Sequence, residues 1–239
     1  MRKDHRPYFL KQIYLRLQKL YGAHFIEPQL QSLGRGYTFM KPWHVEIFGG
    51  PIHIGEYATI IASSDKRVRL SVWPESPGKG AIHIGSYCML CPGVRIGSAE
   101  EIHIGDDCMF ANNAYITDSD WHDIYNRVTI GKTASVHIAD NVWIGDSSIV
   151  CKGVSIGENS IIGAGAVVTG DIPPNSIAAG NPARVVKRLD PDRAITTRAN
   201  WFNDPERLFS DFDRYDRAML KKNSFPHWLR YLLFPSKTD

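Results

Sequence analysis

From Ile138 onward an aliphatic side chain returns every six residues, at Ile138, Ile144, Val150, Ile156, Ile162 and Val168, with polar or small residues between. Glycine follows it at Gly145, Gly157 and Gly163. The fifth position of each unit is small or β-branched (Val142, Ser148, Val154, Ser160, Ala166), and Ala58, Cys88, Cys108 and Ala114 repeat the habit upstream. Earlier units start at Ile54, Ile84, Leu90, Ile96, Ile104, Phe110 and Ile116. A six-residue period matches neither the 3.6 of an α-helix nor plain strand alternation. It predicts an all-β solenoid, a triangular prism in which each unit supplies one short strand and one corner. Three units close a turn, and stacked turns share backbone hydrogen bonds. The apolar residue points inward on every face. The glycine beside it suits a corner that requires positive φ, and the small fifth residue fits where the prism is narrow.

Anything that breaks the period of a solenoid leaves it as a loop. Ser63 to Gly80 holds Asp65-Lys66-Arg67, Pro74, Pro77, Gly78 and Gly80 and reads as one such loop. Ile138 follows Ile116 by 22 positions where a full turn uses about 18, with the surplus near Thr117 to Asn126. The expected organisation is therefore a helical cap and lead-in over 1–50, a β-solenoid over 51–188 with loops at 63–80 and 117–135, and a helical extension over 189–239. In the first part, Phe9, Ile13, Leu17, Leu20 and Tyr21 sit at helical spacing within Pro7 to Tyr21. In the last, Asp204-Pro205 supplies an N-cap and a first-turn proline for a helix to about Lys222, with Leu208, Phe209, Phe212, Tyr215 and Met219 as its apolar stripe. A short final helix after Pro226 carries Trp228, Leu229, Leu232 and Leu233. Both terminal regions read as caps on the solenoid ends and packing surfaces for neighbouring subunits, with at most peripheral membrane contact.

Composition narrows the field. The chain of 239 residues has 28 Lys+Arg against 25 Asp+Glu and 43% hydrophobic residues, which excludes a largely disordered chain and gives no sign of a nucleic-acid partner. The charged stretch Met1 to Arg6, and the breaks at Lys11, Arg16 and Lys19, leave no uninterrupted apolar leader. Phe225 to Phe234 is too short to span a bilayer and contains His227 and Arg230. With Cys88, Cys91, Cys108 and Cys151 read as reduced thiols, the expected compartment is the cytoplasm.

Candidate chemistry concentrates in Thr117 to Asn126, where Asp118 and Asp120 precede His122 at alternating positions. A carboxylate beside an imidazole fixes its tautomer and leaves the other ring nitrogen free to take a proton from an attacking hydroxyl or amine. Equally, the same residues describe a surface histidine in an acidic, solvated turn.

The period, together with Ile161-Ile162-Gly163-Ala164-Gly165-Ala166-Val167-Val168-Thr169, Asp171-Ile172-Pro173-Pro174-Asn175 and Ala179-Gly180-Asn181-Pro182-Ala183-Arg184, resembles the hexapeptide-repeat acyltransferases, among them galactoside and maltose O-acetyltransferases. That resemblance implies a left-handed parallel β-helix, a homotrimer and acetyl-coenzyme A as co-substrate, with no metal. It places His122 as the base that deprotonates the acceptor; the residues around it add Asp120, or else Asp118, as the carboxylate that holds its ring, with Asp118, Trp121, Asn112 and Asn113 expected toward the acceptor. It also implies that coenzyme A meets Asp146, Ala164 and Thr169 along its pantetheine arm and Arg184 and Lys187 at its phosphates. The family's oxyanion-type asparagine has no counterpart where Cys91-Pro92-Gly93 stands, which leaves a backbone amide, Asn112 or Asn113 for that task. Residues Arg35 to Gly49 and the last ~50 have no equivalent in the sugar acetyltransferases, and bring the chain nearer to capsule and lipopolysaccharide O-acetyltransferases.

The expected activity is transfer of an acetyl or other short acyl group from acyl-coenzyme A to a hydroxyl of a sugar or cell-envelope polysaccharide precursor. N-acetylation of an amino sugar and a non-catalytic β-helix scaffold are the alternatives. Cys88-Met89-Leu90-Cys91 spells a CxxC motif, but Cys88 and Cys108 fall on the small fifth position and read as core. His53, His83, His103 and His137 each precede an inward isoleucine and are expected to face outward and stack on one flank.

Overall fold

A computed structural model describes residues 4–74, 76–190 and 192–236. Met1–Lys3 of the charged opening stretch, Glu75 of the expected first loop, and residues 191 and 237–239 of the C-terminal extension lie outside the described residues. The chain winds into a left-handed parallel β-helix. Its first turn comprises β1 (Ser32–Leu33), β2 (Thr38–Met40) and β3 (Val45–Phe48), and its second β4 (Ile52–Ile54), β5 (Thr59–Ile61) and β6 (Val68–Val72). The third holds β7 (Ile82–Ile84), β8 (Met89–Leu90) and β9 (Arg95–Ser98), the fourth β10 (Ile102–Ile104), β11 (Met109–Phe110) and β12 (Tyr115–Thr117). Then follow β13 (Val136–Ile138), β14 (Trp143–Ile144) and β15 (Ile149–Val150), β16 (Ser155–Ile156), β17 (Ile161–Ile162) and β18 (Val167–Val168), and finally β19 (Ser176–Gly180) and β20 (Ala183–Arg188).

Up to β18 every third strand joins the same sheet, and β19 and β20 then close sheet B, pairing with each other antiparallel. Sheet A runs β1-β4-β7-β10-β13-β16, sheet B β2-β5-β8-β11-β14-β17-β19-β20, and sheet C β3-β6-β9-β12-β15-β18. The inward ladder of Ile54, Ile84, Ile104, Leu90, Phe110, Ile144, Ile96, Ile116 and Val150 is buried, as the period requires, and Ile52, Ile82 and Ile102, two places earlier on sheet A, are buried beside it. Burial of each such side chain contributes roughly 1.5–3 kcal/mol. The small fifth positions are buried too, and Cys88 and Cys108 donate their thiols to the carbonyls of Gly105 and Ala139 at 3.1 Å.

Two expectations about local structure are corrected. The glycine after each inward isoleucine does not take positive φ. At Gly55 an added Cβ would lie 2.5 Å from the Ser86 amide nitrogen of the next turn, and at Gly145 2.5 Å from the Ile162 carbonyl oxygen. Close approach of stacked backbones, not handedness, selects glycine there. The left-handed residue falls two places later, at Tyr57, Tyr87, Asp107, Asn141, Asn159 and Asn175 on one corner. Asparagine tolerates that conformation, and here Asn141 donates to Asn159 at 2.9 Å and Asn159 to Asn175 at 3.0 Å. The second correction concerns boundaries. The solenoid begins at Ser32, inside the expected lead-in, and Val68–Val72 of the expected loop 63–80 is a strand. Its alternation of buried Val68, Leu70 and Val72 with outward Arg69 and Ser71 was hidden by the polar turns on either side.

The helical regions also differ from the expectation of a cap at each end. Helix α1 (Tyr8–Tyr21) meets the first turn through Gln18, whose side-chain oxygen accepts from the Lys41 amide. After β20 the chain returns along sheet B. In a 3₁₀ turn at Arg198–Phe202, Arg198 Nε donates to the Tyr87 carbonyl at 2.7 Å and Nη2 to Thr59 Oγ1 at 3.2 Å. Phe202 closes on Tyr57 and Tyr87. Helix α2 (Pro205–Leu220) then packs on α1, with Tyr8 and Gln12 donating to Asp213 and Lys11 to Asp216. Helix α3 (Phe225–Leu233) brings Tyr231 onto the His5 ring. Both terminal regions thus gather at the N-terminal end of the prism. The stripes of Phe9, Ile13, Leu17 and Leu20 on α1, and of Phe209, Phe212, Tyr215 and Met219 on α2, remain exposed in the single chain.

On sheet A, His53, His83, His103 and His137 occupy one outward column in register. The rings of His53 and His83 stack at 4.6 Å and 4°. Burial, and then the neighbouring His53, push His83 below the ordinary histidine value of 6.5, with Glu101 opposing and His103 adding to the shift. Between that lowered value and 6.5 the unfolded chain takes a proton that the folded chain refuses, so stability falls as pH drops through this window. The loss of thermal midpoint from about pH 7.5 to about pH 5 should therefore be smaller in His83→Gln than in the native chain. Equal losses would show that the column does not set the acid response.

Candidate active site

The insertion after β12 leaves the prism as a hairpin-like arm. Ser119 and Thr133 form an antiparallel bridge, the Asp120 amide donates to the Lys132 carbonyl at 2.9 Å, and the Gly131 amide returns to the Asp120 carbonyl at 2.7 Å. Further out the Asp123 amide donates to the Thr129 carbonyl at 3.0 Å. The Asp123 carboxylate accepts the amides of Tyr125 and Asn126, and those bonds, Asn126 first, hold its carboxyl below the usual carboxylate range. Ile124, Tyr125 and Val128 form the tip, at 70%, 92% and 91% exposure.

The two aspartates before His122 do different work from the expected pairing. Asp118 is completely buried at the arm's root and accepts the Ser98 hydroxyl and the Ala99 amide at 2.7 Å and the Glu100 amide at 2.9 Å. Its carboxylate belongs to the joint between turns and is not available to an acceptor or to the imidazole. Asp120 faces the following turn, where Lys152 Nζ donates to its Oδ1 at 2.6 Å. The expected orientation of both side chains toward His122 assumed an extended segment, but the chain bends at residues 118, 121 and 122. His122 itself is exposed, and its ring makes no hydrogen bond among the described residues. Trp121 turns back toward sheet C, donating from Nε1 to the Tyr115 hydroxyl at 2.9 Å, with its ring over Gly97.

The other expected contacts fall into two groups. Asn112, Asn113, Asp146 and Ala164 stand on one ridge, the corner between sheets B and C, where the Ser147 amide donates to the Asn112 carbonyl and the Gly165 amide to the Asp146 carbonyl, both at 2.8 Å. Arg184 and Lys187 lie on β20, the exposed outer strand of sheet B, with Arg184 in register with Ala179. An added Cβ on Gly163 would lie 3.0 Å from that of Ala179, so Arg184 is carried near the ridge's lower end. Thr169 stands apart, beyond β18 at the far side of sheet C. Lys152, Arg69, Arg95, Tyr115 and Trp73 were missed in the sequence. The outward alternation of the sheet C strands is the signal that could have found the two arginines and the tyrosine.

The four cysteines are free thiols, two of them buried. Burial pushes the Cys91 and Cys151 thiols up, and Cys88 is held well above the ordinary thiol value chiefly by its hydrogen bond with Cys108. A protonated thiol is a poor nucleophile.

Replacing Asp118 removes a charged acceptor and strands one hydroxyl and two amides. Asp118→Ala should cost about 2–4 kcal/mol by urea unfolding and speed amide exchange across 118–134. An unchanged midpoint would remove Asp118 from the root of the arm.

Residues 135–170 match the family model described as bacterial transferase hexapeptide (six repeats). Over 163 residues the chain is 32% identical to galactoside O-acetyltransferase of Escherichia coli (strain K12), covering 65% of this chain and 78% of that protein. It is 54% identical over 61 residues to a putative acetyltransferase of Staphylococcus aureus (strain COL), covering 26% of this chain and 31% of the relative. Among solved structures, a mutant of AntD, an N-acyltransferase from Bacillus cereus in complex with dTDP and coenzyme A, shares the fold with a TM-score of 0.55 and 20% identity. That match covers 77% of this chain and 92% of the other.

Proposed function

The chain belongs to the hexapeptide-repeat acyltransferase family, and from that premise we propose that it transfers an acetyl or other short acyl group from acyl-coenzyme A to a hydroxyl of a sugar or cell-envelope polysaccharide precursor. The observation that carries the proposal is the free imidazole of His122, presented on an arm whose root is locked into the solenoid by Asp118. A rigid root with an unengaged ring is what a base needs in order to meet a substrate proton. The likeness to a galactoside O-acetyltransferase supports a carbohydrate hydroxyl as the acceptor.

In the proposed step His122 takes the proton of the acceptor hydroxyl as its oxygen attacks the thioester carbonyl. The new C–O bond forms, the C–S bond breaks, and the proton passes from His122 to the departing coenzyme A sulfur. Asp120 is held by Lys152 at Oδ1, so in the proposed step it anchors the arm to the following turn and does not hold the His122 ring. The ridge residues Asp146 and Ala164, with Thr169, are assigned to the pantetheine arm, and Arg184 and Lys187 to the phosphates, which suit cations. Asn112 and Asn113, on the same ridge, are assigned to the acceptor side and to the oxyanion that develops on the thioester carbonyl. A homotrimer would cover the exposed arm tip and set each His122 beside a neighbour's ridge.

General-base catalysis is typically worth 10²–10⁴-fold. His122→Ala should lose about that factor in the rate of thiol release from acetyl-coenzyme A with a sugar acceptor, while coenzyme A still binds. Comparing hydroxyl and amino forms of one sugar in the same assay separates O- from N-transfer. Wild-type turnover in His122→Ala would overturn the mechanism.

A further inference from the structure

Sheet C carries a column of outward side chains beside the arm: Glu46 on β3, Arg69 on β6, Arg95 on β9 and Tyr115 on β12, each in register with the next. Glu46 accepts from both Arg67 and Arg69, and these two cations, Arg67 first, hold its carboxyl below the usual range. Asp65, the other carboxylate near this column, accepts from the Ser63 hydroxyl at 2.8 Å. Arg95 meets no carboxylate among the described residues. Its guanidinium lies over the Tyr115 ring, 4.4 Å from the centroid. Two guanidinium groups therefore share Glu46 while Arg95 has no carboxylate, and Arg69 and Arg95 stand side by side on strands about 4.8 Å apart. Like charges so placed repel one another, and a bound anion would relieve them.

The cations border an aromatic cleft of about 360 Å³ lined by Arg69, Trp73, Arg95, Gly97, Tyr115 and Trp121. The Trp121 ring lies over Gly97, where an added Cβ would come within 3.1 Å of it. On the other side Trp73 stacks on Phe48, with centroids 4.1 Å apart and planes 20° apart, and keeps about half of its surface exposed. Trp121 donates to Tyr115, and Tyr115 carries Arg95, so one chain of contacts fixes both an indole and a guanidinium.

Indole faces match the C–H faces of a pyranose ring, and paired guanidinium groups match the oxygens of a carboxylate or phosphate. We propose that this cleft binds the acceptor as an anionic saccharide, with the sugar ring against Trp121 and Trp73 and its carboxylate or phosphate on Arg95 and Arg69. The proposal rests on the acyl-transfer reading above, because Trp121 and His122 are neighbours on one arm. A neutral sugar would fill the aromatic part and leave Arg95 without a partner, so charge is the discriminating property.

The test is a tryptophan-fluorescence titration of the full chain with a glucuronate-containing tetrasaccharide, glucose 1-phosphate, a neutral tetrasaccharide and coenzyme A. The native chain, Arg95→Gln and Arg95→Lys are compared. At least one anionic saccharide should bind the native chain at least tenfold more tightly than the neutral one, with an affinity that falls as salt is added. Arg95→Gln should weaken that binding at least tenfold and Arg95→Lys should restore part of it. The carboxylate and phosphate arms tell which anion is read. Equal affinity for neutral and anionic sugars, binding by neither anionic sugar, or independence from Arg95 would overturn the proposal. So would a tenfold loss of coenzyme A affinity in Arg95→Gln, which would give these cations to the thioester carrier. Arg95-dependent sugar binding without thiol release onto any acceptor would keep the cleft and remove acyl transfer. Thiol release onto neutral sugars at rates indifferent to Arg95 would keep acyl transfer and remove the anionic assignment.

Discussion

Stacked turns lying one strand spacing apart leave no room for a Cβ at the point where each face ends. The glycine after the inward isoleucine follows from that crowding, as the 2.5 Å approach at Gly55 and Gly145 demonstrates. The chain must then turn through a left-handed residue two places on, and the side chains that tolerate this conformation stack on their equivalents above and below. With the interior filled by one aliphatic and one small residue per unit, the prism has no capacity to absorb extra length. Surplus residues can only leave it sideways, and the point of departure decides what the molecule can bind.

Departure after β12 is what gives the arm its chemistry. Asp118, one residue past the strand, bonds to three groups of the preceding turn and sets the direction of everything beyond it. Trp121 then folds inward over Gly97, Asp120 reaches Lys152 of the following turn, and His122 is left in solvent. A single short segment is thereby tied to the turn before it and the turn after it. The flat outward faces of sheet C supply the arginines and the tyrosine, the ridge between sheets B and C supplies backbone and small residues, and the arm stands beside both.

Much of this was legible in the sequence because burial has a period and periods are visible in one dimension. Ile144, Val150 and Ile156 announce their inward direction by spacing alone. Val68–Val72 did not, since its neighbours Asp65, Lys66, Arg67 and Pro74 interrupt the six-residue count while the strand itself keeps simple alternation. His122 was legible as part of an insertion, but the partners of Asp118 and Asp120 were not, because they depend on bends that no alternation rule describes. The helices were placed correctly along the chain, yet their destination was hidden. Contacts such as Lys11 with Asp216 join residues 205 apart and leave no local trace.

That separation bears on how the protein is made. Helix α1 leaves the ribosome early, while the side chains of α2 that hold it come 205 positions later. At synthesis rates of about 5–20 residues per second the interval is roughly 10–40 s. The parallel turns must assemble on a nascent chain whose leading helix still lacks its mate, so a chaperone that shields the Phe9 and Ile13 surface during translation would act before the last helices emerge.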